Sequence, residues 1–271
     1  HDDLTGTSIP RAYEFSWNDE LLSLKDFAGT LTHAVEAVAA KMDTRVKGTP
    51  VVLFNALGTP ATDIVEMNIP AKRFPKNAEV YDASGKKVKA QVAGFDNGYA
   101  KILAETTVPA NGYAVYDVRL SGNGNGTAPK ATETFENSLY RLTFDRNGDI
   151  TSLYDKKNSR ELVKEGKAIR LAMFTENESF AWPAWEIIKD AIDAEPQSIT
   201  GNVEISMIEE GPLRKTLRVT KTHGDSRFTQ YIRLYEGAMA DRIDFYNEVD
   251  WLSTNSLLKA EFPLALGNET A

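Results

Sequence analysis

The feature that most constrains the fold of this chain is a change in its hydrophobic period near Pro50. Before that point, between Ser16 and about Asp43, the apolar residues recur every three or four positions and so lie on one face of a helix: Leu24, Phe27, Leu31, Val35, Val38 and Met42. After Pro50 the period becomes two, which is typical of β-strands. The sequence therefore predicts one long amphipathic helix followed by a mainly β chain.

The predicted helix has sequence signals at both ends. Ser16 is a suitable N-cap, with Asp19 three residues later in a weaker form of the capping box. Gly48 and Pro50 end the helical pattern. A single amphipathic helix cannot bury its own apolar face, so we expect this helix to pack on another domain or on helices that this chain does not contain.

Six short strand-like runs follow at intervals of about ten residues: Val51–Phe54, Asp63–Ile69, Ala78–Asp82, Val88–Phe95, Tyr99–Glu105 and Tyr113–Leu120. The pair Asn97-Gly98 stands between two of these runs and is a strong hairpin signal. This pattern predicts a small antiparallel β-sandwich.

The segment Ser121–Pro129 lacks large apolar residues and is rich in glycine, which predicts a flexible linker. Eight more strand-like runs follow it: Leu139–Phe144, Ile150–Tyr154, Ile169–Phe174, Val203–Ile208, Leu213–Thr220, Phe228–Tyr235, Ile243–Trp251 and Leu257–Leu264. We predict a helical segment at 1–48, a small β-sandwich at 49–121, a linker at 122–130 and a large β-sandwich at 131–271. The last domain is expected to be truncated, because its final strand has no closing partner.

Composition excludes several function classes. The chain has no cysteine, which removes disulfides, thiolate nucleophiles and cysteine-based zinc sites. Its net charge of −8 argues against nucleic acid or an anionic membrane as the main partner. No apolar run approaches the ~20 residues of a membrane span, and phosphate-binding loops and G-x-S-x-G motifs are absent from the sequence.

The chain begins with chemistry-bearing residues, His1-Asp2-Asp3, followed by a polar Thr5-Gly6-Thr7 turn. An imidazole beside a carboxylate can ligate a metal or bind a sugar hydroxyl, but zinc takes three or four protein ligands. By position alone, the favoured explanation of His1 is the remnant of an expression tag, and only the eighteen residues that follow overturn it. The other two histidines, His33 and His223, are expected to be a surface residue and a turn residue.

Two tryptophans, Trp182 and Trp185, flank Pro183 and form the other unusual motif. Indole faces suit the apolar faces of pyranose rings, so the pair could stack on a sugar. The alternative is burial as core or interface anchors, which is the commoner fate of large aromatic residues. The acidic pair Glu209-Glu210 precedes Gly211-Pro212 and is interpreted as a solvated turn.

These motifs together resemble the α-mannosidases of glycoside hydrolase family 38. The opening His1–Thr7 resembles the family's His-Asp-x-x-Thr/Ser-Gly-Thr motif, and Pro10–Glu20 is similar to a bacterial branch of the family. Further similar segments follow in the family's order: Asn137–Lys156, Trp182–Ile187, Asp250-Trp251 and Leu257–Leu264.

The resemblance implies a fold and a set of roles. The large β-sandwich would be mutarotase-like, and the helix would belong to a helical bundle that joins it to an upstream α/β catalytic domain. His1 would be a zinc ligand, and Asp2 would contact mannose hydroxyls. Trp182 and Trp185 are candidate sugar-binding residues because of their indole rings, not because of the resemblance. The nucleophile and the acid/base residue would lie in the upstream domain, so this chain alone is expected to be inactive toward an α-mannoside glycan.

A different class of function remains open. The strand pattern and the two tryptophans also fit a non-catalytic carbohydrate-binding module, or a structural β-sandwich that braces a catalytic partner. The bracing role predicts an exposed apolar patch.

Overall fold

The computed structural model describes residues 8–126, 134–175, 177–182 and 186–267. It confirms a mainly β fold that begins with one long helix and continues in antiparallel sheets. The chain divides into two compact units, one made of His1–Thr44, Met173–Gln197 and Thr254–Leu258 and the other of Arg45–Ala172, Ser198–Ser253 and Lys259–Ala271. The domain boundaries expected from the sequence stay a prediction.

Helix α1 spans Pro10–Ala39 and so starts six residues before the predicted N-cap. The prediction at Ser16 was wrong because Pro10 occupies the first helical position, where the fixed φ and the missing N–H of proline are both favourable. Ser16 is an internal helical residue. Gly48 directly precedes the first strand and Pro50 lies within it, well after the helix has ended.

The apolar face of α1 is exposed, since the helix has no buried residue. Leu24, Phe27 and Leu31 are 65%, 73% and 65% exposed. This apolar stripe is exposed within the described residues, and the expectation that α1 packs on another domain or on helices outside this chain stays a prediction.

Seven strands form the first β-region: β1 (Thr49–Asn55), β2 (Ala61–Pro70), β3 (Asn77–Tyr81), β4 (Lys87–Val88), β5 (Ala90–Asp96), β6 (Tyr99–Val108) and β7 (Gly112–Ser121). They pair as two sheets of order β1-β7-β3-β4 and β2-β6-β5. The alternating apolar residues of both sheets meet in one core around Ile69, Val80, Ile102 and Val118. This is the small sandwich that the sequence predicted.

The Asn97-Gly98 hairpin is confirmed. Asn97 and Gly98 have φ values of 49° and 82°, and Asp96 pairs with Tyr99 across the turn. Two successive residues with positive φ make a type I′ turn, whose twist matches that of the flanking strands. The turn therefore sets the register of β5 on β6.

The second β-region contains eleven strands in its described residues: β8 (Phe135–Glu136), β9 (Tyr140–Phe144), β10 (Ile150–Asp155), β11 (Arg160–Glu161), β12 (Arg170–Phe174), β13 (Gln197–Ser198), β14 (Gly201–Glu210), β15 (Arg214–His223), β16 (Ser226–Tyr235), β17 (Ile243–Asp250) and β18 (Leu257–Glu261). Its sheets have the orders β11-β10-β9-β8, β14-β15-β16-β17 and β13-β12-β18. Leu142 and Ile150 from one sheet share a core with Val219, Ile232 and Leu234 from another. A short helix, α2 (Lys189–Asp193), was not predicted.

The interpretation of Glu209 as part of a solvated turn was wrong. Glu209 lies in β14, is 8% exposed, and accepts hydrogen bonds from Arg214 and Thr216. The register of β14 against β15 shifts between Met207 and Glu209, so that Glu209 pairs with Thr216. Its carboxylate is buried by the side chains of Gln91 and Arg214, which both donate hydrogen bonds to it. Glu210 is exposed.

Candidate functional site

Three of the four site residues expected from the sequence lie outside the described residues. These are His1, Asp2 and Trp185, so the zinc-ligand and sugar-binding roles expected of them stay predictions. Among the described residues, no group of three histidine, aspartate or glutamate side chains is arranged to hold a metal ion.

Trp182, the fourth residue, lies on the surface. Its side chain is 63% exposed, so it is not a core anchor within the described structure. Its backbone N–H donates to Ser179 Oγ at 3.0 Å, and the Ser179 hydroxyl in turn donates to the Glu186 carboxylate. These bonds hold the Trp182 backbone while its ring stays open to solvent, which leaves the ring accessible to a ligand.

The two other histidines lie where the sequence analysis expected them, on the surface and beside a turn. His33 is exposed on α1. His223 is the last residue of β15 and is half-buried, next to the turn that leads into β16. Neither one belongs to a cluster of potential metal ligands in the described residues.

A second candidate surface, which the sequence analysis missed, is the face of the β14–β17 sheet that points away from the core. We call this the outer face. On β15 and β16 most inner residues are apolar, such as Val219 and Ile232, whereas the alternate residues of the cleft are polar, such as Arg218 and Tyr231. Because neighbours along a strand point to opposite sides, the polar sets of all four strands share one face.

Strand register places the outer-face residues in rows across the sheet. In one row Glu204 pairs with Thr220, Thr220 with Thr229, and Thr229 with Glu248. The rows on either side bring Arg218 opposite Tyr231 and Arg227 opposite Asp250. Two short threonine side chains are thus surrounded by longer charged and aromatic ones.

This arrangement forms an open cleft of about 470 Å³ on the sheet, which we call the threonine cleft. It is lined by Glu204, Arg218, Thr220, Arg227, Thr229, Tyr231, Glu248, Val249 and Asp250. Its volume falls within the range of small-molecule sites, ~300–1,000 Å³. The cleft is polar rather than apolar, so a ligand there would be recognised mainly through hydrogen bonds.

The charged groups of the cleft are not paired with one another. In the described part of the chain, no ion pair within 4.0 Å joins Arg218 or Arg227 to Glu204, Glu248 or Asp250. The Tyr231 hydroxyl donates to Glu248 at 3.4 Å. Burial, together with the negative charge of Glu248, raises the pKa of Tyr231, so the phenol stays protonated. The cleft therefore offers both cationic donors and anionic acceptors.

The outer face continues beyond the cleft with two unsatisfied polar atoms. Ser206 Oγ and Arg233 Nε are buried atoms without a hydrogen-bond partner in the described structure. Ser206 lies opposite Arg218 in the strand register, and the Arg233 guanidinium carbon lies 5.7 Å from the centre of the Tyr246 ring. Buried polar groups normally find partners, so this face has unused hydrogen-bonding capacity.

The second half of the chain decides the family. Residues 135–271, about half of the chain, match the Glycosyl hydrolases family 38 C-terminal domain. The chain belongs to glycosyl hydrolase family 38. The resemblance seen in the sequence is thereby confirmed, and the family match contains Trp182, Trp185 and the whole threonine cleft, whereas His1 and Asp2 lie before it.

Individual relatives of this family 38 chain agree with that assignment. Over 185 residues it is 25% identical to Alpha-mannosidase 2C1 of Homo sapiens, covering 64% of this chain and 17% of the human protein. Over 202 residues it is 25% identical to Alpha-mannosidase G of Dictyostelium discoideum, covering 65% of this chain and 18% of that protein. The chain thus spans less than a fifth of the length of the curated relatives it matches.

Proposed function

We propose that this chain is the C-terminal part of a zinc-dependent, retaining α-mannosidase that hydrolyses terminal α-mannosides of glycans. The observation that carries the proposal is the family 38 C-terminal domain match over residues 135–271. Two relatives that are named as α-mannosidases support the choice of substrate. The exposed stripe of α1 fits a chain that packs against further protein in the complete enzyme.

In this proposal the chain supplies only part of the active site. His1 is a zinc ligand, because a neutral imidazole is a preferred zinc donor, and Asp2 binds mannose hydroxyls. When bound, zinc would act as a Lewis acid and a template for the sugar. A retaining glycosidase also needs two carboxyl groups about 5–5.5 Å apart as nucleophile and acid/base, and the proposal assigns both to an upstream α/β domain.

Replacing His1 in a longer protein that includes the upstream residues tests the assignment. We expect His1→Ala to lose bound zinc, measured by elemental analysis, and to lower hydrolysis of a p-nitrophenyl α-mannoside at least 100-fold. His33→Ala is the matched control, because His33 is an exposed histidine of α1. Unchanged zinc content and activity in His1→Ala would reject the zinc-ligand role.

The chain of residues 1–271 should then show no turnover of the same substrate by itself. The proposal places the nucleophile and the acid/base residue outside it, and either loss removes most of the rate enhancement. Measurable hydrolysis that is abolished by replacing an acidic residue of this chain would contradict that division of labour.

A second candidate function is a carbohydrate-binding module, which the exposed Trp182 ring favours. Indole rings stack on the apolar faces of sugars. Calorimetry of the 271-residue chain with mannosides should then show micromolar to low-millimolar binding, lost in Trp182→Ala and Trp185→Ala. Trp17→Ala is a suitable control, since Trp17 is 60% exposed but lies on α1. Binding that survives in both Trp182→Ala and Trp185→Ala would reject this function for the tryptophans.

A further inference from the structure

The threonine cleft has the shape of a shallow trough. Its floor is formed by Thr220 and Thr229, which face each other across β15 and β16. The rows on both sides carry arginines, and carboxylates stand at both ends of the threonine row. A flat molecule that lies on the threonines would meet hydrogen-bonding groups around its whole edge.

The charges of the cleft restrict the class of ligand. Its lining contains two guanidinium groups, Arg218 and Arg227, and three carboxylates, Glu204, Glu248 and Asp250. An anion would face the three carboxylates, and a cation would face the two arginines, so either one meets repulsion. A neutral molecule with many hydroxyl groups avoids both penalties, because each hydroxyl can accept from an arginine and donate to a carboxylate.

The charged side chains of the cleft are available to a ligand. The arginines and carboxylates of the cleft form no ion pair with each other in the described structure, so a ligand does not have to break one. Tyr231 lines the same cleft and provides an aromatic wall beside the threonines. An aromatic ring beside polar groups suits a sugar, which has apolar C–H faces and a polar edge.

We propose that the threonine cleft binds a neutral oligosaccharide. Arg218 and Arg227 donate to its hydroxyl oxygens, Glu204 and Asp250 accept from its hydroxyl groups, and the two threonines leave room for a pyranose ring. The choice of a mannoside as the first probe rests on the proposed function, whereas the location of the cleft and the neutrality of its ligand do not.

Chemical-shift titration of the 271-residue chain with α-1,2-mannobiose tests this site directly. We expect shifts at β15–β17 and a dissociation constant in the micromolar to low-millimolar range. Thr229→Tyr fills the trough and Arg227→Gln removes a donor, and each should weaken binding at least tenfold. Arg227 is an exposed residue, so its variant is expected to fold, and thermal unfolding checks both proteins.

Two matched controls separate this site from its alternatives. Asn247→Ala lies on the same strand as Glu248 and Asp250, but its side chain contacts Gln230 on the opposite face of the sheet, so binding should be unchanged. Trp182→Ala should likewise leave binding at the cleft unchanged. Shifts confined to the Trp182 loop, or binding that survives in both Thr229→Tyr and Arg227→Gln, would overturn the proposal.

The ligand class has its own test. A disaccharide that contains a uronic acid should bind at least tenfold more weakly than mannobiose, and equal or tighter binding would overturn the inference of a neutral ligand. Absence of shifts with 20 mM mannobiose would overturn the site as a whole. The His1→Ala experiment on the longer protein measures zinc and hydrolysis instead, so failure of the cleft and failure of the proposed enzyme are distinguishable.

Discussion

Gln91 and Glu209 are joined side chain to side chain in the interior, with Gln91 Nε2 2.8 Å from Glu209 Oε1 across a sequence separation of 118 residues. The same amide makes three further hydrogen bonds. Its oxygen accepts from the backbone N–H groups of Leu213 and Arg214, both at 2.9 Å, and its nitrogen donates to the Arg214 carbonyl oxygen at 3.0 Å. One side chain of β5 therefore satisfies the backbone where β15 begins.

Gln91→Leu should destabilise the protein by about 3 kcal/mol. The substitution leaves two buried N–H groups, one carbonyl oxygen and one carboxylate oxygen without this partner. Each unsatisfied group costs about 1–3 kcal/mol before relaxation. The free energy of unfolding in urea measures the effect. Gln230→Leu is the control, because the bond from Gln230 to Asn247 is exposed, and it should cost under about 1 kcal/mol. Equal losses for both variants would contradict the structural role of Gln91.

Glu209→Gln should cost about 2–4 kcal/mol, because it leaves the buried Arg214 guanidinium with less compensating charge. Arg214 Nε lies 3.1 and 3.0 Å from the two Glu209 oxygens. Burial alone lowers the pKa of Arg214, but the Glu209 carboxylate outweighs burial and raises it. Glu66, the other partner of Arg214, is more exposed, so Glu66→Gln should cost under about 1 kcal/mol.

A double variant separates the ion pair from general packing at the same place. Glu209→Met combined with Arg214→Met removes both charges together and should be less destabilising than Glu209→Gln alone. If urea unfolding shows the double variant to be less stable than Glu209→Gln, the buried charge of Arg214 is not the reason why Glu209 stabilises the protein.

Asp117 should make the stability of the protein fall in acid. Burial raises the pKa of Asp117, but hydrogen bonds from Arg119 and from the Gly48 and Lys47 N–H groups outweigh burial and hold the pKa below its ordinary value of 3.8. Since the unfolded chain takes up the proton first, the stabilisation is complete above that value and is lost as the pH falls through the folded-state pKa.

Denaturant unfolding at a series of pH values between 6 and 3 checks this. Asp117→Asn should be less stable than the parent at pH 6 and should lose less stability on acidification. Asp225→Asn, at an exposed turn position, should follow the parent curve. A parallel pair of curves for the parent and Asp117→Asn would show that Asp117 contributes nothing to the acid response.

Gly148→Ala should destabilise the protein by about 3 kcal/mol. Gly148 has φ of +73°, and a Cβ there would lie 2.5 Å from Val219 Cγ1 in the core. The left-handed backbone costs about 1–2 kcal/mol for alanine, and the clash adds overpacking of about 1–3 kcal/mol. Gly224→Ala has the first cost without the second, because its φ is +55° and nothing lies within 4 Å, so it should lose about 1 kcal/mol. Thermal or urea unfolding of both variants measures the difference.

Much of the local structure could be predicted from the sequence. The period of two located every long strand, and Asn97-Gly98 identified its hairpin because only a few residue types tolerate positive φ in both positions. The start of α1 was missed because the sequence offers two signals for a helix start. Ser16 is a suitable N-cap and Pro10 is a suitable first helical residue, and the sequence alone did not show which of the two is used.

The candidate site, like the local structure, could be predicted from the sequence only in part. The family resemblance came from ordered motifs along the chain, and the match over residues 135–271 confirmed it. The threonine cleft was not predicted, although the alternation of polar residues along β15 and β16 was visible. Its residues meet only through the register of four strands, which brings Glu204, Thr220, Thr229 and Glu248 into one row.

The sequence by itself therefore determined the order of one helix and many antiparallel strands, the tight turns and the family, since these depend on neighbours within a few residues and on hydrophobic period. Only the tertiary structure decided that Glu209 is buried against Arg214, that the apolar face of α1 is exposed, and which polar residues share the outer face. The physical reason is that burial and strand register depend on contacts between residues far apart in the chain. Glu209 is buried because it meets Arg214 and Gln91, the latter 118 residues away in sequence.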